Sequence, residues 1–229
     1  MFGRWRAIAR EGQPETLPEH PLFGATGGMY VPRYENSANR HDASFTGGYT
    51  YQGSIGRYAG PDAQGYLPVT MMCFGEMLPY EDNRITLNYS RKDRWGIPLP
   101  HISCGTHSNE QAMLKRQIQD SADMIESGGG LVDFWASPLG LGQKGAGMYP
   151  AQVWPIRWFM RKMFPKSLVV GAAIHESGGA RMGSDPATSY LNPYGQCWEV
   201  PNVYVTDASS FPTGGSLGTT LTVMALSIR

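Results

Sequence analysis

The sequence predicts an α+β fold, a mainly antiparallel sheet covered by helices. Three observations carry this. An apolar run over residues 67–77 gives way to polar and apolar alternation over 84–89, a long amphipathic helix opens at Ser108, and the last third reads as strand, loop and helix.

Composition sets the bounds. In 229 residues, 19 Lys and Arg balance 19 Asp and Glu, so the chain lacks the cationic surplus of a non-specific nucleic-acid binder. Hydrophobic residues at 41% and aromatics at 11% supply a core for one large domain or two small ones and exclude a disordered chain. Gly 29 and Pro 17 make up about a fifth of the residues, against a background of roughly 12%, so much of the chain is turn. Cys73, Cys104 and Cys197 are widely spaced, which suits neither a disulfide framework nor a CxxC site and favours a reducing compartment. There is no run of eighteen apolar residues and no hydrophobic leader at the first residues. No membrane segment is expected, and with no visible address the cytoplasm is favoured.

Residues 1–66 are turn-rich, with short extended pieces such as 29–32. The run 67–77 reads as a buried strand, 84–89 as a half-buried one, and 79–83 as the hairpin connection between them. A further strand spans 97–103, kept near an edge by Pro98 and Pro100, which lack ladder donors. Ser108-Asn109-Glu110-Gln111 has the capping-box pattern and predicts a helix over 108–127, with Leu114, Ile118, Ala122 and Ile125 on the face toward the sheet and Gly128-Gly129-Gly130 as its stop. Residues 137–152 read as glycine-rich loop. An aromatic and basic helix over 154–164 ends at Pro165 and is expected to pack its Trp and Phe on the core, with Arg157, Arg161 and Lys162 outside, in preference to lying on a membrane.

Two β-branched runs follow, 168–170 and 203–205, and the second leads through Thr206-Asp207-Ala208-Ser209 and a glycine-rich loop into a helix over 219–229. Leu221, Met224, Ala225 and Ile228 share one face of that helix. Beginning at Thr219 or Thr220 after Gly214, Gly215 and Gly218, it presents free N–H groups and a positive dipole end. Spacing alone leaves two readings open, a seat for a partial negative charge or a turn that lets the helix pack closely.

Among candidate chemistries, Gly214-Gly215-Ser216-Leu217-Gly218 matches the G-x-S-x-G elbow of α/β-hydrolases, but that fold needs its histidine after the serine, and the last histidine here is His175. His175-Glu176 opens no HExxH zinc site, because Gly179 stands where the second histidine belongs. His20, His41, His101 and His107 lie scattered among loop signals without ligand spacing and read as structural. His175 stands where an apolar stretch meets a glycine-rich loop, a junction suited to a functional imidazole and equally to a buried hydrogen-bonding one.

Three blocks in this order resemble one family. His175-Glu176-Ser177-Gly178-Gly179-Ala180-Arg181-Met182-Gly183, then VPNVYVTDASSFP from Val200, then TTLTVMAL from Thr219, are similar to the C-terminal signature of the glucose-methanol-choline (GMC) oxidoreductases. Upstream, FGEMLP from Phe74, DNRITL from Asp82 and KDRWGIP from Lys92 resemble the family's substrate-domain segment, with the flavour of its bacterial alcohol and sugar-acid dehydrogenases. The resemblance implies an FAD enzyme that oxidises an alcohol or sugar CH–OH group, with hydride passing to flavin N5 and His175 taking the hydroxyl proton. It places Asp207 and Ala208 beside the ribityl and pyrophosphate, and points the helix at Thr219, Thr220 and Leu221 toward the N1–C2=O edge of the flavin.

The resemblance also implies an organisation: 1–66 a loop-rich segment partly of the substrate domain, 67–170 the substrate-binding domain, and 171–229 a catalytic and flavin-facing segment, the strand and helix of an incomplete FAD-binding domain. Two departures stand out. Gly218 holds the position of the family's second catalytic residue, Asn or His, so that side chain is lost, and the site relies on His175 alone, on Ser216 of the same loop, or on water. G-x-G-x-x-G occurs only at Gly140–Gly145, inside the stretch read as glycine-rich loop and not between a strand and a helix, so the ADP-binding fingerprint is missing and the chain reads as a C-terminal fragment whose partner is a missing N-terminal FAD-binding half. The alternative is a non-catalytic binding or assembly fragment that has lost activity.

Overall fold

A computed structural model of the chain describes residues 1–6, 27–33, 35–37, 41–56, 66–145, 153–167 and 174–229. The fold is α+β and resolves into two compact units, Met1–Gly75 with Gln111–Val169, and Glu76–Glu110 with Val170–Arg229. The first is built on a six-stranded sheet of order β2-β3-β4-β1-β7-β8, formed by β1 (Phe2–Arg6), β2 (Gly27–Val31), β3 (Tyr49–Ile55), β4 (Tyr66–Gly75), β7 (Leu131–Ser137) and β8 (Gly140–Gln143). Every neighbouring pair in it is antiparallel. In the second unit β5 (Arg84–Lys92) pairs with β6 (Pro98–Ser103) as a separate two-stranded sheet.

The apolar run from residue 67 is thus a strand, but it does not form a hairpin with the next one as its spacing suggested. Val69 and Met71 of β4 are buried while β5 is exposed on both faces, so the two strands belong to different environments. The ladder partners of β4 are β1 and β3, both far from 79–83 in sequence. Pro98 and Pro100 sit, as expected, in an edge strand, where a missing N–H leaves no ladder donor unpaired. β7 and β8 form a hairpin that the glycine-rich reading of 137–152 passed over; Gly142 is required there because a Cβ would run into the Trp135 ring.

Helix α1 (Ser108–Ser127) covers the sheet with Met113, Ala122 and Ile125 buried against Tyr49, Tyr51, Val69, Met71 and Val132. Its buried face is turned from the one the apolar spacing selects, since Gln117, Asp120 and Ser121 are buried and Leu114 and Ile118 only half so. Asp120 and Ser121 tolerate burial because each finds a partner, while the Gln117 side-chain nitrogen is buried without one among the described residues. The Tyr49 hydroxyl donates to Asp120 Oδ2 at 2.5 Å and the Tyr51 hydroxyl to the Gln117 carbonyl at 3.2 Å. Arg116 then links Asp120 at 3.1 Å to Glu35 at 3.3 Å. Burial first, and Asp120 second, push the Tyr49 hydroxyl well above the ordinary phenol range, so it stays a donor. The capping box is realised one residue earlier than its pattern, with the Glu110 carboxylate reaching back to the His107 N–H at 3.0 Å.

Helix α2 (Trp154–Ser167) outlasts Pro165 by two residues, since a proline's own φ is helical and its cost falls on the donor it lacks. Trp154, Trp158 and Phe159 do not pack on the core as expected but are exposed, and the side chains of Arg161 and Phe164 lie outside the described ones. In the second unit the run 203–205 forms no strand but a single bridge, Gln196 to Tyr204, beside buried Leu191 and Cys197. Helix α3 (Thr220–Ile228) closes the chain and buries none of its residues. The run 168–170 and His20 lie outside the described residues.

The strongest polar tie in the first unit is Arg4 on β1 to Asp133 on β7, a two-pronged pair at 3.0 and 3.2 Å with the carboxylate fully buried. Asp133→Ala leaves the guanidinium without its partner and is expected to cost about 3–5 kcal/mol. The check is urea unfolding followed by circular dichroism, in which the midpoint falls while the slope stays unchanged.

Candidate active site

The second unit brings together segments far apart in sequence. Backbone N–H groups of Gly178, Ala180 and Met182 donate to the carbonyls of Ala208, Ser209 and Ser210 at 3.2, 2.9 and 2.8 Å. This ladder lays the glycine-rich loop along a single 3-10 turn, Ala208–Ser210. Asp207 caps that turn, accepting the Ser209 N–H at 2.8 Å and also the Ser209 hydroxyl. The Ser209 hydroxyl, then its N–H, hold the Asp207 carboxyl below the usual carboxylate range. Ser210 and Phe211 are buried beneath the turn, and the Ser210 hydroxyl donates to the Asp207 carbonyl at 2.8 Å.

His175 stands at the head of the laddered loop, half-buried, with φ 75°. Among the described residues only Asn36 shares a left-handed backbone without being glycine. Such a conformation is uncommon outside glycine, though histidine tolerates it better than most, and it persists where neighbouring structure over-determines it. The ladder that begins three residues later is that structure. Gly178, at φ 80°, suits the turn away from His175, and Gly179 lies against Ile85 of β5, where a Cβ would come within 3.4 Å of the isoleucine Cδ1.

The glycine run before α3 meets the same loop at one point. A Cβ at Gly214 would lie 3.2 Å from the Ser177 hydroxyl oxygen. Gly215 adopts φ 63°, which requires glycine, and Ser216 is buried. Gly218 is exposed, and a Cβ there would meet no described atom within 4 Å. Thr219 is the N-cap of α3 without a side-chain cap bond, no acidic residue occupies the first turn, and Thr220 and Leu221 are exposed. The structure therefore joins His175 to Asp207 and Ala208 through the ladder and leaves Gly218, Thr219, Thr220 and Leu221 as an open run beyond it.

Two carboxylates, Glu76 and Glu110, tie segments of this unit together. Glu76 accepts the Thr213 hydroxyl at 3.0 Å and so ties the segment after β4 to the start of the glycine run. Glu110 accepts the N–H of Leu78 at 3.3 Å and the Tyr80 hydroxyl at 3.2 Å in addition to the His107 N–H. Burial works to raise the Glu110 pKa, but hydrogen bonds from Asn109, His107 and Leu78 outweigh it and hold the carboxyl low. The available signal was a lone carboxylate interrupting an apolar run at Glu76. His107, read as structural, stacks on Tyr80 at 3.8 Å between centroids and lies 3.2 Å from Asp82.

With this geometry in view, the GMC oxidoreductase family model matches residues 79–227, nearly two thirds of the chain and almost all of the second unit. The chain belongs to the GMC oxidoreductase family. It is 28% identical to 2-methyl-1,2-propanediol dehydrogenase of Mycolicibacterium austroafricanum over 81% of this chain and 30% of that protein. To the gluconate 2-dehydrogenase flavoprotein of Pantoea cypripedii it is 29% identical over 69% of this chain and 22% of the relative. Pyranose 2-oxidase of Lyophyllum shimeji is 20% identical over 94% of this chain and 31% of its own length. The chain thus spans about a third or less of these relatives. GMC members are flavoenzymes acting on CH–OH donors, and the match covers the ladder, the Asp207 turn and the open run before α3.

Asp207→Ala removes the cap of the turn that carries the ladder and is expected to destabilise the chain by about 1 kcal/mol at neutral pH. Because the folded pKa is depressed, the carboxylate stabilises above its unfolded value of about 3.9 and loses this as pH falls through the folded pKa. Unfolding curves of wild type and variant should therefore differ at pH 7 and converge under strongly acidic conditions.

Proposed function

We propose that this chain is the substrate-binding and flavin-facing portion of an FAD-dependent oxidoreductase that acts on the CH–OH group of an alcohol or sugar, with His175 as proton acceptor. The observation that carries the reading is His175, held at φ 75° at the head of a loop fastened to the Asp207 turn by three backbone hydrogen bonds. A left-handed non-glycine residue costs on the order of 1–3 kcal/mol, and such residues cluster at active sites. The relatives are named for 2-methyl-1,2-propanediol, gluconate and pyranose, all of which carry CH–OH groups.

The residues present suit a flavin. A flat ligand can approach the backbone where Gly215 and Gly218 leave open space, and the uncapped first turn of α3 offers N–H groups with no competing carboxylate. In this reading Asp207 and Ala208 hold the ribityl and pyrophosphate side, while Thr219, Thr220 and Leu221 face the isoalloxazine edge. When bound, FAD supplies the hydride acceptor that no side chain provides.

The protein's own part is proton transfer and positioning. Imidazole accepts a proton at neutral pH and returns it, so His175 first holds the substrate hydroxyl by a hydrogen bond and then takes its proton as the C–H bond opens. The positive end of α3 stabilises negative charge in front of it by about 0.3–1 kcal/mol, and more where the site is partly buried. Gly218 contributes no polar group, which leaves proton handling to His175.

His175→Ala in the flavin-loaded protein that carries this chain is expected to slow alcohol-dependent flavin reduction roughly 10²–10⁴-fold, the usual worth of a positioned acid–base group. Anaerobic stopped-flow absorbance of the flavin measures it. Undiminished reduction in the variant would remove His175 from the reaction.

A further inference from the structure

Helix α2 turns outward the side chains that its sequence suits for burial. Trp154 is 74% exposed, Ile156 54%, Trp158 54%, Phe159 57% and Met163 44%. Ile156, Phe159 and Met163 recur at spacings of three and four, which sets them along one face as an apolar stripe. Exposed Lys162 adjoins them in the helix, its ammonium 5.0 Å from the centre of the Trp158 ring. The same 14 residues contain Arg157, Arg161, Lys162 and Lys166 and no Asp or Glu, in a chain whose formal net charge is zero. The helix sequence therefore combines apolar and cationic residues without an acid.

A polypeptide partner and a lipid surface make different demands on such a helix. The cores of protein–protein interfaces are depleted in lysine, and a cation buried there needs a matching acid. An interfacial helix combines Trp and Phe at the boundary of the acyl chains with Lys and Arg among the headgroups, where long stems snorkel. Helix α2 has the second composition. At 14 residues it is ~21 Å long, short of the ~30 Å hydrocarbon core. No helix among the described residues is long and apolar enough to cross a membrane. The mode left to α2 is to lie in the surface plane.

We propose that α2 is a peripheral membrane-binding helix that docks this unit on an anionic phospholipid surface, with Ile156, Phe159 and Met163 entering the acyl boundary and the basic residues meeting the headgroups. A dehydrogenase seated this way would meet lipid-dissolved substrates or electron acceptors without crossing the bilayer. The docking does not depend on the role given to His175.

The test is co-sedimentation of the full 229-residue chain with vesicles of phosphatidylcholine alone and of phosphatidylcholine doped with phosphatidylglycerol. The chain is expected to partition to the doped vesicles about tenfold or more over the neutral ones, and to release when salt shortens the Debye length from ~10 Å to ~3 Å. Lys162→Glu should weaken partitioning at least about fivefold, the worth of roughly one cation. Ile156→Ser with Phe159→Ser should weaken it at unchanged circular dichroism, since both side chains are exposed. Absence of binding to the anionic vesicles overturns the proposal, as does equal binding to both compositions. A solution dimer that Phe159→Ser disperses, in a chain that ignores vesicles, would assign the stripe to a second copy instead and equally overturn it.

Discussion

Three backbone hydrogen bonds, from Gly178, Ala180 and Met182 to the carbonyls of Ala208, Ser209 and Ser210, organise the candidate active site. They bind two segments of low regular structure, so neither a sheet nor a long helix fixes His175. Backbone bonding does this without side chains, which is why the loop can be rich in glycine and still hold one conformation. Asp207 shapes the acceptor side and Gly178 the donor side, and the left-handed backbone of His175 follows from the chain having to enter the ladder in register.

A second tier of contacts reaches outward from that ladder. Phe211 is buried directly after the turn, Glu76 then holds Thr213, and Gly214 meets Ser177, so the path from the turn to the glycine run is fixed at successive points. Past Gly215, Ser216 is buried, while Gly218 and the first turn of α3 are exposed. The first unit is organised differently. There a sheet and α1 are joined through buried tyrosines, and the polar chain Tyr49, Asp120, Arg116 and Glu35 fixes which face of the helix is buried.

Much of this was legible in the sequence where signals were local. The β-run from residue 67, the helix 108–127 and the helix after Thr219 all appear at or within a few residues of their expected places. Signals failed where the deciding contact was distant. Nothing near 79–83 announces that β4 pairs with β1 and β3, and a hairpin was the economical local reading. Periodicity put Leu114 and Ile118 on the buried face of α1, but the bonds of the Asp120 carboxylate to Tyr49 and of the Ser121 hydroxyl to the Ile118 carbonyl make polar burial there tolerable. At the site, the three motif blocks identified the segments, whereas Glu76 and Glu110 became visible only through their partners. Helix α2 reads as amphipathic either way, and only its exposure separates a core helix from a surface one.

In the proposed reaction His175 must be unprotonated to take the hydroxyl proton of the alcohol. The most direct measurement is the pH dependence of flavin reduction by a saturating alcohol, in the flavin-loaded protein carrying this chain, for wild type and for His175→Gln. The account predicts that the wild-type rate falls toward acid along a limb governed by one ionisation, and that the variant is slow and has lost this limb. A variant that keeps the acid limb with the same apparent pKa would contradict it, because the ionising base would then lie elsewhere.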